Sequence, residues 1–476
     1  MDREHLFDIR DRVLARMVAD GFAGADPFDG LESAVFRASG LGRFRLARLA
    51  WLQAIKRGPE GLRKVVRVPH MVNPKTLALL GGAAQGVVLF NVRGRLLEMQ
   101  NPDGGWGYPF EWQARAFYAK RHQSNAIVTS FVVDALIEGG MEKDHPALVH
   151  AARFVEGKLW RDAYFAYFDH VAVEIHNASL WAAFTLHRII GPNDKTAQAV
   201  ARVINAQKAD GSWAYGMRSH HHFVDGFHTG YVLDLLDRFR NLGIRGLDSA
   251  IAGGWRFYRS ECFNADGMPR SFAGRDGYLD THAVAQAMAS LCRFGDRDGA
   301  IRVSEWAAEN LFDPGRDLFF AGIKKDGRPD RRNYMRWTQA WMVWALSIVI
   351  ENTAPNPSSP QDQTMSNFDP TVPLSFAHPD PNRAEIEAAL RALPEPVFRR
   401  LYDITRAAAS RAKADGAMET LYGLTRGMKT LQRIGGERGV MLSAKRIGFL
   451  RDAEINVPDD FNRMGDQEAS KMFGDK

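Results

Sequence analysis

The stretch DGFHTGYVLDLL, residues 225–236, begins with polar side chains and continues as an apolar run of helical length. An aspartate ahead of such a run is a favourable N-cap, so we predict a helix that begins beside Asp225. Five other stretches have the same form, and successive openings lie roughly 50 to 55 residues apart, which is typical of stacked helical hairpins. These openings are Asn73-Pro74-Lys75, Ser124-Asn125, His176-Asn177, Asp280-Thr281-His282 and Asn333-Tyr334-Met335-Arg336.

The six repeats predict an all-α protein, an (α/α)6 toroid of six helical hairpins with a small C-terminal helical appendage. Residues 127–136 and 337–346 are apolar nearly all round, which indicates buried inner helices. Residues 251–260 and 300–310 are more amphipathic and suit an outer layer. In a closed ring of such hairpins, all six polar openings fall on the same rim.

A second periodic pattern places turns ahead of the inner helices. Turn and aromatic segments recur at roughly 50-residue intervals, at residues 103–108, 163–167, 210–215, 266–272 and 317–320. Where the turn is Asp-Gly, glycine permits the tight turn and the following aromatic side chain can anchor the loop. We therefore interpret Asp103, Asp210 and Asp266 as turn residues.

The composition is that of a globular protein with one large domain and an appendage. The chain of 476 residues is 45% hydrophobic and has no apolar run of membrane-spanning length. The start, residues 1–5, lacks the form of a secretory signal, so we expect a cytoplasmic protein with Cys262 and Cys292 reduced. A net charge of +6 is too small and diffuse for a nucleic-acid binder, and it suits an acidic substrate.

Composition also predicts the domain boundaries. We expect a basic, partly helical lead-in packed on the toroid over residues 1–72 and the toroid itself over residues 73–351. Residues 352–382 are rich in Pro, Ser and Asp, which indicates a linker. Residues 383–476 are predicted to form a small helical C-terminal unit that docks on the toroid or on a protein partner.

Several ordered motifs make residues 20–350 resemble bacterial exopolysaccharide biosynthesis proteins of the VpsJ type. That resemblance implies an α/α toroid and a role in polysaccharide production, and it does not extend to the chain after residue 351. The motifs are residues 26–31, 73–75, 106–113, 227–233 and 334–337.

The Asp-Gly-Gly/Ser-Trp elements, preceded by Gln100 and Gln207, are also similar to the repeats of triterpene cyclases and prenyltransferase β-subunits. The Asp-x-Asp-Asp run with which class II cyclases protonate an alkene does not occur in the sequence. Asp280-Thr281-His282 occupies the place at which prenyltransferases hold zinc through a cysteine. A terpene cyclase-like enzyme therefore remains an alternative.

The helix openings supply groups for proton transfer. Asp225, His228 and Tyr231 share one helical face, so His228 can accept a proton, Asp225 can orient it, and Tyr231 can return a proton from the other side. Asn177 offers an amide that can polarise a carboxyl group, and Arg336 can clamp a carboxylate through two hydrogen bonds. This set resembles that of uronate lyases and epimerases, and we predict these five residues as catalytic.

The remaining polar and aromatic residues of the rim are predicted to bind substrate, an acidic oligosaccharide or polysaccharide precursor. Open alternatives are a glycoside hydrolase with Glu111 paired to Asp225 or Asp280, and a non-catalytic glycan-binding scaffold. No cofactor is expected, although Asp225, His228, Asp280 and His282 could together hold a divalent metal, and the run His220-His221-His222 is expected in a mobile loop. The predicted substrate-binding residues are Tyr108, Glu111, Trp112, Arg115, His176, Asp280, His282 and Trp337.

Overall fold

The protein is described by a computed structural model. It covers residues 3–81, 87–115, 117–353, 374–375, 386–387, 390–391, 393, 395–414, 418–438 and 440. The chain divides into two compact units, one of residues 1–84 with 89–354 and the other of residues 85–88 with 355–476.

Six inner helices, counted over the described residues, form the core of the first unit. Each packs against the next in chain order, and the last packs against the first, so the ring is closed. The predicted (α/α)6 toroid is therefore confirmed. The inner helices are α5 (Pro74–Gly81), α7 (Ala126–Glu138), α9 (His176–Ile190), α11 (Gly226–Asn241), α13 (Thr281–Arg293) and α15 (Trp341–Asn352).

Five outer helices follow the first five inner ones, and the sixth outer position is filled from the start of the chain. Helix α1 (Arg3–Ala19) packs against both the last outer helix and α15, and it buries Leu6, Ile9 and Val13 there. Arg3 also donates a 2.9 Å hydrogen bond to the carbonyl of Ile350. The other outer helices are α6 (Val87–Glu98), α8 (Pro146–Phe154), α10 (Asp194–Asn205), α12 (Asp248–Glu261) and α14 (Arg297–Asn310).

Side-chain caps start four of the inner helices in the described part of the chain, as predicted. The capping residues, which each accept a hydrogen bond from a backbone N–H of the first turn at 2.8 to 3.0 Å, are Asn73, Asn125, Asp225 and Asp280. His176 differs, because it is the first residue of α9 and follows an uncapped Ile175. The sixth inner helix begins at Met335 with a π-helical turn (Met335–Ala340), two residues after the predicted opening.

The Asp-Gly turns form a repeated structural module. Gln100 and Gln207 each donate to two backbone carbonyls, one in the turn and one at the start of the next outer helix, at 2.8 to 3.0 Å. The indoles of Trp106 and Trp213 donate to a carbonyl near the end of the preceding outer helix. Each turn is thereby tied to two neighbouring outer helices, which agrees with its interpretation as a structural turn.

Two-residue strands, all antiparallel, stiffen the loops. The strand β10 (Gly322–Ile323) pairs on both sides, with β7 (Leu279–Asp280) and β11 (Pro329–Asp330). The other pairs are β1 (Ala23–Gly24) with β2 (Met71–Val72), β3 (Trp112–Gln113) with β4 (Tyr118–Ala119), β5 (Trp160–Arg161) with β6 (Tyr164–Phe165), and β8 (Phe312–Asp313) with β9 (Leu318–Phe319).

The lead-in between β1 and β2 contains three short helices, α2 (Ala34–Ala38), α3 (Arg45–Arg57) and α4 (Glu60–Val65). Leu31, Phe36 and Leu52 form a small buried cluster beneath them.

In the second unit, α16 (Glu395–Ala414) packs along α17 (Met418–Glu437). Leu401, Leu424 and Leu431 are fully buried in the core that these two helices share with neighbouring residues. Most of the predicted linker at residues 352–382, and residues 383–394 and 441–476 of the predicted C-terminal unit for the greater part, lie outside the described residues. No helix within the described ranges is long and apolar enough to cross a membrane.

Candidate functional site

A cavity of about 800 Å³ opens at one end of the inner ring. Its wall includes residues from the N-terminal end of every inner helix, which confirms that the six openings share one rim. Aromatic side chains from the intervening loops form much of the remaining wall, among them Tyr108, Trp112, Phe117, Tyr167, Tyr215 and Tyr278. The helix-end residues in the wall include Lys75, Ile127, Asn177, Asp225, Asp280 and Arg336.

Asp225 and His228 form a hydrogen-bonded pair in this wall. The Asp225 carboxylate accepts from the backbone N–H of His228 at 2.8 Å through one oxygen and contacts His228 Nδ1 at 2.7 Å through the other. The carboxylate is buried, whereas the imidazole side chain keeps 19% of its exposure. A carboxylate against Nδ1 fixes the proton on that nitrogen, so Nε2 is left as the proton acceptor.

Tyr231 forms a second pair, with His282 of the next inner helix. The phenol oxygen lies 2.6 Å from His282 Nε2, and both side chains are buried. Burial raises the pKa of Tyr231 well above its usual range, and burial together with Lys75 and Arg336 holds the pKa of His282 well below its usual range. A neutral imidazole hydrogen-bonded to a neutral phenol fits both shifts, and the histidine tautomer decides which of the two donates. The structure thus places Tyr231, predicted as catalytic, in direct contact with His282, predicted to bind substrate.

Asp280 orients the indole of Trp337. It caps α13, and Trp337 Nε1 lies 3.0 Å from each of its carboxylate oxygens. Burial raises the pKa of Asp280, against the opposing effect of the Trp337 hydrogen bond. Lys56 also lies in the cavity wall, and burial lowers its pKa while Asp280 opposes that shift.

Arg336 is already paired within the protein. Its Nε and Nη2 donate to the two carboxylate oxygens of Asp26 at 2.6 and 2.9 Å, and its side chain is only 3% exposed. Asp26 therefore occupies two of the donors with which Arg336 could clamp a substrate carboxylate, and the clamp itself stays a prediction. Asp26 belongs to the sequence motif at residues 26–31, but its distant partner is not apparent from the sequence.

Two predicted site residues do not line the cavity. Glu111 is half-buried beside Tyr118, whose pKa is raised to about 12 by burial first and by Glu111 second. His176 turns its Nδ1 to the carbonyl of Ala214 at 2.9 Å, and burial lowers its pKa. Glu111 is thus not placed to form a hydrolytic pair with Asp225 or Asp280 across the cavity.

The other predicted residues are brought together. Tyr108, Trp112, Asn177 and Trp337 line the cavity, and so does Arg115, which is exposed at its edge. The amide oxygen of Asn177 is buried without a hydrogen-bond partner among the described residues. It is available to a ligand in the cavity.

Lys75 is a cavity residue to which the sequence reading gave no role. It is 3% exposed, and its ammonium lies 3.8, 5.1 and 5.7 Å from the ring centres of Phe131, Trp341 and Tyr231. It forms no ion pair with any residue that the structure describes, and burial holds the pKa of Lys75 well below its usual range. The available signal was that Lys75 is the lone charged residue in the apolar run of α5.

Two members of the histidine run lie in the cavity wall. Ser219–His221 form a 3-10 turn, and His220 and His221 line the cavity, whereas the mobility of this loop stays a prediction. Burial lowers the pKa of His221 to about 4. Over the described part of the chain, no group of three or more His, Cys, Asp or Glu side chains has the geometry of a metal site, and this includes the set Asp225, His228, Asp280 and His282.

Comparisons with known proteins find similarity among solved structures. No protein-family profile matches the chain, and no curated protein matches it. Cellobiose 2-epimerase from Bacillus thermoamylovorans aligns with a TM-score of 0.47 and 14% identity over 58% of this chain and 86% of its own. A D-mannose isomerase aligns with a TM-score of 0.45 and 10% identity over 59% and 87%. A type II terpene cyclase from Scytonema aligns with a TM-score of 0.40 and 14% identity over 59% and 86%. At this identity the similarity concerns the helical fold.

Proposed function

We propose that the protein is a carbohydrate-acting enzyme that removes the proton beside the carboxyl group of an acidic sugar, giving epimerisation or elimination. The Asp225–His228 pair in the cavity wall carries this proposal. The resemblance to exopolysaccharide biosynthesis proteins supports a glycan substrate.

The pair has the geometry of a general base. With Nδ1 donating to Asp225, His228 Nε2 takes the proton from C5 of the uronate, and the buried carboxylate stabilises the imidazolium that forms. The electrons of the broken C–H bond pass into the carboxyl group. They then either take up a proton on the opposite face, which gives the epimer, or expel the substituent at C4, which gives the unsaturated sugar.

Lys75 is the proposed partner of the substrate carboxyl group, in place of Arg336. Its ammonium has aromatic neighbours but no carboxylate within ion-pair distance among the described residues, so an anionic group entering the cavity would supply a direct countercharge. The amide of Asn177 can donate to the same carboxyl group, which would stabilise the negative charge that develops during proton removal.

The Tyr231–His282 pair is the proposed acid. Tyr231 belongs to the same inner helix as His228, and the centres of their two rings lie 6.0 Å apart. When His282 Nε2–H donates to the phenol oxygen, the phenol proton is free to pass to carbon or to the leaving oxygen, and the same hydrogen bond stabilises the phenolate that forms. The broad faces of Trp112 and Trp337 offer surfaces for adjacent sugar rings.

Exchange in deuterated water tests the proton abstraction. We expect uronate oligosaccharides incubated with the protein to acquire deuterium at C5 or to become unsaturated, as followed by NMR and mass spectrometry. His228→Ala should slow this by on the order of a hundred- to ten-thousand-fold, the usual contribution of a proton-transfer group. His176→Gln is the matched control, since His176 also opens an inner helix but does not line the cavity. Unchanged exchange in folded His228→Ala would contradict the proposal.

A terpene cyclase-like enzyme is the second candidate, because aromatic faces can also stabilise a carbocation. In that case Asp280, whose pKa is raised by burial, is the available acid. Asp280→Asn should then abolish cyclisation of a polyprenyl substrate, whereas the sugar proposal expects no polyprenyl turnover at all. Binding of an acidic glycan without any turnover would instead favour the scaffold alternative.

A further inference from the structure

The segment of residues 33–59 in the lead-in has an unusual charge. It contains six basic residues and no acidic residue, which equals the net charge of +6 for the whole chain. Three of the arginines, Arg43, Arg45 and Arg48, have no carboxylate partner among the described residues. They contact aromatic rings or neutral acceptors instead, such as the ring of Phe44 for Arg43 and the carbonyl of Arg115 for Arg45.

The same segment exposes large apolar side chains. Leu41, Phe44 and Leu46 are 47%, 51% and 75% exposed, and they lie in the turn before α3 and in its first residues. Isolated apolar residues on a surface are ordinary, but here three lie within six positions beside unpaired arginines. This combination marks an interaction surface.

The opposite side of the segment is firmly attached. Phe36 stacks on Trp51 with ring centres 5.1 Å apart, and the Trp51 indole donates to the carbonyl of Gly30 at 2.9 Å. Leu52 is buried beneath them. The exposed apolar tip therefore projects from a packed base.

We propose that residues 41–48 form a docking surface for an anionic phospholipid bilayer. Leu41, Phe44 and Leu46 would enter the boundary between headgroups and acyl chains, while the exposed Arg43 and Arg45 contact lipid phosphates. The positive charge without internal counterions favours a negatively charged lipid surface over an uncharged partner. Helix α3 continues from this tip to Lys56 in the cavity wall, so docking would hold the cavity mouth near the lipid.

Vesicle flotation of the full chain tests this proposal. We expect binding to vesicles of phosphatidylcholine with phosphatidylglycerol, loss of binding at high salt, and little binding to phosphatidylcholine alone. Arg43→Gln with Arg45→Gln should weaken binding by roughly thirtyfold, the product of two charges near an anionic surface. Phe44→Ser with Leu46→Ser should weaken it at every salt concentration.

Matched surface variants control for charge and apolarity. Arg245→Gln with Arg256→Gln removes two exposed arginines elsewhere, and Ile190→Ser with Met217→Ser removes two side chains that are 51% and 54% exposed. Both should bind vesicles as the unchanged protein does, and circular dichroism should show that all variants fold. Equal loss in these controls, equal binding to neutral vesicles, or no vesicle binding would overturn the proposal. So would a lipid-free dimer that Phe44→Ser with Leu46→Ser converts to a monomer, since a second copy would then be the occupant.

Discussion

At the residue scale, the site depends on which charges are already satisfied within the protein. Arg336 is the cation that sequence reasoning selects, but its Nε and Nη2 already donate to Asp26. Lys75 has no such partner among the described residues and lies among three aromatic rings. Burying an ammonium without a direct carboxylate partner costs free energy, so an anionic ligand is stabilised more by pairing with Lys75 than by contact with the already paired Arg336.

Lys75→Met should therefore remove the preference for acidic sugars. We expect glucuronate binding to weaken by roughly ten- to a hundredfold, the size of a hydrogen bond to a charged group, with glucose binding unchanged. Calorimetry of both sugars checks this result, with Lys208→Met as a surface control. An equal loss for the two sugars would show that Lys75 only supports the packing of the cavity.

Because of Lys75, we also expect the protein to take up protons when it binds glucuronate. The pKa of Lys75 is held well below its usual range in the empty cavity, and a nearby carboxylate raises it, so protons are taken up at pH values between the two pKa values. Calorimetry in buffers of different ionisation enthalpy should detect this uptake for glucuronate, and Lys75→Met should abolish it.

At the element scale, the Asp-Gly turns set the spacing of the outer helices. Gly211 has a φ of +91°, and a Cβ there would lie 2.4 Å from the carbonyl oxygen of Gly253 on α12. Gly267 has a φ of +79° in an equivalent turn, but a Cβ there would meet no atom within 4 Å. Both positions favour glycine, and only Gly211 also requires close approach of two backbones.

Gly211→Ala and Gly267→Ala should therefore differ in stability. In both variants alanine is strained in the left-handed backbone conformation that glycine adopts freely. In Gly211→Ala the new Cβ would also clash with α12, so the turn and the helix must move apart. We expect Gly211→Ala to cost about 1–3 kcal/mol more in the free energy of unfolding. Urea denaturation measures the two free energies of unfolding. Equal losses in the two variants would mean that α12 can move away from the turn at no cost in stability.

At the scale of the whole molecule, the toroid is closed by the two ends of its own unit. Helix α1 supplies the outer partner of α15, although more than 300 residues separate them in the sequence. The C-terminal unit has a separate core built from α16 and α17. The ring of inner helices is complete before residue 353.

Removing the C-terminal unit and removing helix α1 should therefore have different effects on folding. A chain ending at Thr353 should fold and retain its affinity for ligand, whereas a chain starting at Gly21 should lose the cooperative thermal transition, because α1 buries an apolar face of the toroid. Thermal melts and ligand titration decide both cases. Loss of ligand affinity in the folded, shortened chain would show that the C-terminal unit contributes to the site.

The sequence by itself determined the repeat, and with it the toroid, the common rim and the structural role of the Asp-Gly turns. All of these follow from helix-capping and turn motifs that recur at a nearly constant interval. Each motif can be recognised within a stretch of about ten residues. It also identified the Asp225–His228 pair, because residues three positions apart lie on the same face of a helix, so their side chains can meet whatever the rest of the fold does.

The tertiary structure alone decided the pairs that cross the ring. Asp26 with Arg336 and Tyr231 with His282 are 310 and 51 residues apart, and their meeting depends on ring closure and on the packing of neighbouring inner helices. Only ring closure shows that Arg336 is paired with a carboxylate of the protein, whereas Lys75 has no such ion pair among the described residues.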